Sequence, residues 1–152
     1  MTRVVDTYAQ TRPSLVRLGS LLTGSRAVAE DIADDLIERT FQRDDLIDAS
    51  RYLHTAMVNA CRTHIRRERR RRELDIKLRA GAINENELAT LVVFRDALLR
   101  LSYAQRTAVI LRYQMGYRDH EIANVLGCRN ATARSHIKRA LTRLKKEMTY
   151  ED

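Results

Sequence analysis

The chain has 152 residues, 28 of them Lys or Arg against 20 Asp or Glu, for a formal charge of +8. That length accommodates one ordinary domain or two small ones, and the basic excess favours a nucleic-acid partner, membranes and acidic proteins being the other binders of a basic chain. No apolar run approaches the roughly 18 residues of a membrane span, and MTRVVDTYAQTRP lacks the apolar core of a signal peptide. Membrane insertion is therefore not expected, and the expected location is the cytoplasm. Cys61 and Cys128 stand far apart and read as small apolar fillers, not a disulfide. His54, Cys61 and His64 recur at helical spacing but lack a fourth ligand, so neither a metal nor a cofactor is expected.

In chain order, Val4 to Thr11 and Ser14 to Leu22 predict two helical stretches, with Leu15, Leu18, Leu21 and Leu22 on one face and Pro13 marking a bend or a first helical turn between them. Ser25 is placed to cap the next helix, whose apolar positions are Val28, Ile32, Leu36, Ile37 and Phe41. From Glu30 to Asp48 eight acids face only Arg39 and Arg43, which makes this the acidic part of a basic chain. Tyr52, Leu53, Met57, Val58, Cys61 and Ile65 predict a further helix running into the arginine cluster that ends at Arg72. Phe41 and Tyr52 are expected to be core aromatics.

Residues 73–86 carry little pattern, and Gly81, Asn84 and Asn86 suggest a linker. A second unit follows: Leu88, Leu91, Val92, Phe94, Ala97, Leu98 and Leu101 form one amphipathic helix, and Ala108, Val109, Leu111 and Tyr113 another. No stretch shows strand alternation. The fold class is therefore all-α: two small helical domains, 1–72 and 87–152, joined by a linker over 73–86 that is expected to be flexible.

The stretch from Gly116 to Met148 predicts a helix-turn-helix that ends the second domain. Ile122, Ala123 and Leu126 keep helical spacing, Gly127 tolerates a left-handed turn, and Ala133, Ile137, Ala140, Leu141, Leu144 and Met148 resume the period. At about 100° per residue this stripe leaves Thr132, Ser135, Arg139 and Thr142 opposite, flanked by Lys138, His136 and Arg143. Arg129 to Lys146 holds no acid at all. Such a face neutralises phosphates and offers hydrogen bonds to base edges in a major groove wide enough for one helix.

Three motifs together resemble the small two-domain bacterial sigma factors of the extracytoplasmic-function type: LVRLGSLLTGSRAVAED (15–31), YLHTAMVNACRTHIRR (52–67) and LSYAQRTAVILRYQMGYRDHEIANVLGCRNATARSHIKRAL (101–141). The resemblance implies a transcription initiation factor that binds core RNA polymerase and directs it to promoter DNA, under control of an anti-sigma protein. It implies polymerase docking through Asp31, Asp34, Asp35, Glu38 and Phe41, and contacts near the -10 element through Asn59, Arg62, Arg66 and Arg67. For the -35 element it implies Arg134, Ser135, His136, Lys138 and Arg139, to which the exposed arc adds Thr132 and Arg143. Arg134 lies nearer the core stripe and is assigned to phosphate.

The chain departs from the family pattern at Glu38, Phe41, Thr63 and His64, and Arg118 and Arg129 stand where capping serines are frequent. Asp119 and Asn130, one residue later, are the expected substitutes. The departures keep an alternative open, a sigma-like DNA-binding regulator that does not support initiation. An enzyme is not expected, since the sequence holds no phosphate-cradling glycine loop and no nucleophile with a paired base.

Overall fold

The computed structural model describes residues 2–43, 48–74 and 89–149. The expected linker residues Gly81, Asn84 and Asn86, the acids Asp44 and Asp45, and Leu88 lie outside them. The described residues form helices only: α1 (Thr2–Thr23), α2 (Arg26–Phe41), α3 (Ala49–Leu74), α4 (Ala89–Arg100), α5 (Tyr103–Tyr113), α6 (Asp119–Leu126) and α7 (Asn130–Thr149).

Several helix boundaries have local causes. Ser25 caps α2, its Oγ accepting from the Val28 N–H at 3.2 Å, and Ser102 caps α5 by accepting from Gln105 at 3.2 Å. Between α1 and α2, Gly24 sits at φ 79°, and a Cβ there would lie 3.1 Å from Leu99 Cδ1. The turn needs a left-handed residue, and the packing of α4 leaves it no side chain. Gly127 ends α6 at φ 67° and ψ 38°, with the Cys128 N–H closing on the Ala123 carbonyl at 3.0 Å.

Pro13 does not divide the first segment: α1 is one helix of 22 residues with Pro13 inside it. A proline forfeits one helical N–H bond, but Tyr8 and Thr11 before it and Leu15, Leu18 and Leu22 after it are all buried, and that shared burial holds one axis. Two expected core aromatics are also exposed. Phe41 is 44% exposed, at the end of α2 with the Tyr8 ring 5.9 Å away, and Tyr52 is 39% exposed beneath the guanidinium of Arg43. Of the α7 stripe, Ala133, Ile137, Ala140 and Leu144 are buried while Leu141 and Met148 face outward.

One contiguous apolar core runs through both halves. It joins Leu18, Leu22, Ala29, Leu53 and Met57 of the first three helices to Leu98, Leu111, Ile122 and Ala140 of the last four. The halves also meet through polar groups. The Tyr103 hydroxyl donates to the Val58 carbonyl at 2.6 Å, His54 Nδ1 pairs with the Tyr117 hydroxyl at 2.9 Å, and Arg51 pairs with Glu121.

Candidate nucleic-acid interface

Helix α7 presents the sharpest charged surface. Burial of Ala133, Ile137, Ala140 and Leu144 against α5 and α6 fixes its rotation, so Thr132, Arg134, Ser135, Lys138, Arg139 and Arg143 are exposed on the far side. His136 stands apart from them: it is half-buried, and its Nδ1 is enclosed without a hydrogen-bond partner among the described residues. Thr142 spends its hydroxyl on the Lys138 carbonyl at 2.9 Å.

The turn that aims α7 is held by charge as well as by Gly127. Asp119 opens α6 as its first helical residue and does not cap it; the N-cap position is Arg118, whose N–H donates to Glu121 Oε1 at 3.0 Å. This hydrogen bond holds the Glu121 carboxyl below its ordinary range. Freed from capping, the Asp119 carboxylate pairs with Arg112 of α5 through one oxygen, while Arg134 of α7 approaches the other at 3.7 Å. Asn130 is likewise the first helical residue of α7. Asp119 is thus a hub for three helices, a role invisible in sequence because positions 112, 119 and 134 share no helical period.

A second basic set lies along α3. Asn59 is exposed, with its carbonyl accepting from Thr63 Oγ1 at 3.1 Å, and Arg66 and Arg67 are exposed further along. Arg62 turns instead toward the second half, its guanidinium 5.3 Å from the centre of the Tyr103 ring. Tyr103 is enclosed, which pushes its phenol well above the ordinary tyrosine range.

The acids form the third set, on α2. Asp31, Asp34, Asp35 and Glu38 are exposed on its outer side, while Ala29, Ala33 and Thr40 are buried and Ile32, Leu36 and Ile37 pack partly against the core. The set is partly neutralised from within. Arg12 of α1 grips Asp34 with two bonds, Nε to Oδ1 at 2.8 Å and Nη2 to Oδ2 at 3.3 Å, which lowers the Asp34 carboxyl and raises the Arg12 guanidinium. Arg39 meets Asp35 at 3.1 Å. Asp31 and Glu38 carry no ion pair among the described residues.

The expected site residues therefore fall on three helices: a basic arc on α7 that lacks His136, a cationic arm on α3 with Arg62 engaged internally, and an acidic flank on α2. No group of acids, histidines and cysteines suited to a metal occurs among the described residues. No described helix is long and apolar enough to cross a membrane.

The model of the family "Sigma-70, region 4" matches residues 91–144. Over the whole chain the sequence is similar to the RNA polymerase sigma-E factor of Streptomyces avermitilis, at 30% identity covering 97% of this chain and 86% of that protein. It is also similar to the ECF RNA polymerase sigma factor SigM of Mycobacterium tuberculosis, at 28% identity over 90% of this chain and 72% of that protein. Among solved structures, the sigma factor RpoE of Bartonella quintana, in complex with the anti-sigma factor NepR, superposes with a TM-score of 0.80 over the full length of both chains at 21% identity. Mycobacterium tuberculosis SigJ gives 0.67 over 92% of this chain and 52% of that one, at 22% identity. These two likenesses are likenesses of fold.

Proposed function

Since the chain belongs to the extracytoplasmic-function family of RNA polymerase sigma factors, and is thus a transcription initiation factor that binds core polymerase and directs it to promoters, we propose how its surfaces divide that work. The α7 arc reads the -35 element. Ser135, Lys138 and Arg139 reach base edges, Thr132 and Arg143 hold flanking phosphates, and Arg134 contributes a phosphate contact from its place beside Asp119. His136 acts as a half-buried support for this helix. The carrying observation is the exposed arc itself: across Arg129 to Lys146 it sets Arg and Lys on one solvent-facing side with no acid among them.

The α3 arm serves the -10 element. Asn59 offers an amide to an unstacked base, and Arg62, Arg66 and Arg67 neutralise adjacent phosphates. The acidic flank of α2, with Asp31, Asp34, Asp35, Glu38 and the exposed ring of Phe41, docks on a basic surface of core polymerase. Opposite charge there steers assembly more than it sets affinity. Two functional units, 1–72 and 87–152 with 73–86 between them, follow from this division. An anti-sigma protein is the expected inhibitor, by extension from the fold relative that is seen with NepR. The protein works in the cytoplasm, where polymerase is, and carries out no catalysis of its own.

Run-off transcription with purified bacterial core polymerase on a promoter pool tests the assignment. Promoter-selective transcripts that disappear when Asp31 and Asp35 become Lys, while the variant still binds -35 duplex, support it. Absence of both core binding and selective transcripts from the unaltered protein would overturn it.

A further inference from the structure

Where the two halves meet, a short polar chain crosses an otherwise apolar seam. His54 of α3 is 7% exposed, and both of its ring nitrogens are used. Nε2 meets Ser14 Oγ of α1 at 2.5 Å, and Nδ1 meets the Tyr117 hydroxyl at 2.9 Å. Ser14 also lies 3.9 Å from the Met115 sulfur, and the Tyr117 ring packs edge-on to the imidazole at 5.9 Å. Tyr117 and Met115 belong to the loop between α5 and α6, so the second half supplies part of the cover over this ring.

A neutral imidazole suits this position. One nitrogen donates, the other accepts, and each hydroxyl completes the arrangement. Protonation would leave both nitrogens as donors, which two hydroxyls can still accept. The cost lies in enclosing the charge, because moving an imidazolium away from water is unfavourable unless an anion sits beside it. The facing groups do not supply one in contact. From α1 it is the neutral Ser14, and from the α5–α6 loop the neutral Met115 and Tyr117. Asp48, ahead of α3, acts on the ring from a distance, and Arg51 of α3 pairs with both Asp48 and Glu121 of α6. Burial outweighs Asp48 and holds the imidazole below its ordinary range.

We propose that His54 is a proton-sensitive latch: its neutral ring, clamped between Ser14 and Tyr117, holds the two halves together, and protonation releases the second half from the first. The sign follows from the burial. An opened chain returns His54 to water, where it binds a proton more readily than in the closed chain, so acidification favours opening. Closure engages the proposed promoter arm directly. Tyr103 occupies the Val58 carbonyl, one residue before Asn59, and its ring engages the Arg62 guanidinium. Release of the latch therefore frees Arg62 for phosphate. The inference rests on the promoter reading only in this last step; the latch itself is a property of the closed chain.

Small-angle scattering of the full chain between pH 8 and pH 5.5 tests it, beside NMR titration of the four histidines. The expected result is a rise in radius of gyration that tracks the titration of His54. The open-to-closed ratio should grow by at most about tenfold per pH unit, the limit for one linked proton. His54→Gln, whose amide bridges two hydroxyls without titrating, should stay compact across the range. Tyr117→Phe, which removes the partner from the other half, should be more expanded than the unaltered chain already at pH 8. A constant radius while His54 titrates overturns the latch, as does equal acid expansion of His54→Gln. Failure of Arg62→Gln to weaken binding to -10 DNA at low pH would instead refute the promoter role of Arg62 and leave the latch standing.

Discussion

Arg134 of α7 leans back onto Asp119, Nη1 to Oδ2 at 3.7 Å, while the same carboxylate pairs with Arg112. A negative charge therefore stands at the edge of a face otherwise built to attract phosphate, and one cation of that face is shared with it. Asp119→Asn keeps the shape and removes the charge. The expected outcome is tighter binding to every duplex, random sequence gaining most, and a salt dependence steeper by about one phosphate contact. Titrations of specific and random duplex at several salt concentrations check it, and an unchanged salt slope would count against Arg134 as a phosphate ligand.

Arg139 and Arg143 lie four residues apart on the exposed side of α7, and the proposed division of labour separates their losses. Arg139→Ala should cost about 1 to 3 kcal/mol on the preferred -35 sequence and relax preference at one base pair. Arg143→Ala should weaken all sequences alike. Binding selections on a randomised -35 duplex distinguish the two patterns.

Gly19 is needed for space. A Cβ at that position would collide with Met57 Cε of α3 and lie 2.8 Å from Ala29 Cβ of α2. The methionine tip can swing aside, but the alanine is fixed to its helix. Gly19→Ala should therefore destabilise the fold by about 1 to 3 kcal/mol, the usual cost of overpacking. Urea unfolding measures it, and a stabilised protein would show that helix propensity outweighs the clash.

The two cysteines should differ sharply in reactivity. Burial pushes the Cys61 thiol up to about 12, so at pH 8 it remains a thiol, while Cys128 is half-buried. Alkylation of the native protein at pH 8, followed by peptide mass mapping, should find Cys128 modified and Cys61 protected, with both modified in denaturant. Equal labelling in the native state would mean that the core around Leu53, Met57 and Cys61 opens readily.

What was legible in the sequence was what depends on neighbours along the chain. Ser25 as a cap, Gly127 as a left-handed turn, and the buried Ala133, Ile137, Ala140 and Leu144 all follow from local geometry, and the three family motifs gave the function. Pro13 misled because a local penalty was set against the burial of a whole helix face, which sequence does not weigh. Phe41, Tyr52, Leu141 and Met148 misled because apolar character was equated with burial, whereas small domains have too little interior to enclose every large side chain. Asp119 and His54 acquire their meaning from partners on other elements. Neither Arg112 and Arg134 nor Ser14 and Tyr117 could have been paired with them by spacing.

Helix α3 has 26 residues, about 39 Å of rise, but among its described side chains none beyond Cys61 is buried. Beyond Arg62, which still rests against the Tyr103 ring, its described side chains are half-buried or exposed. Arg62 and Arg66, Arg66 and Arg70, and Arg67 and Arg71 repel each other at one-turn spacing, relieved locally by Glu68 beside Arg71 at 3.6 Å. With little core beneath it, this overhang is expected to gain helix where phosphates or high salt screen the arginines and to lose it in dilute buffer. Under the role proposed for it, promoter phosphates would complete this arm, and its reach would be a property of the complex more than of the free chain.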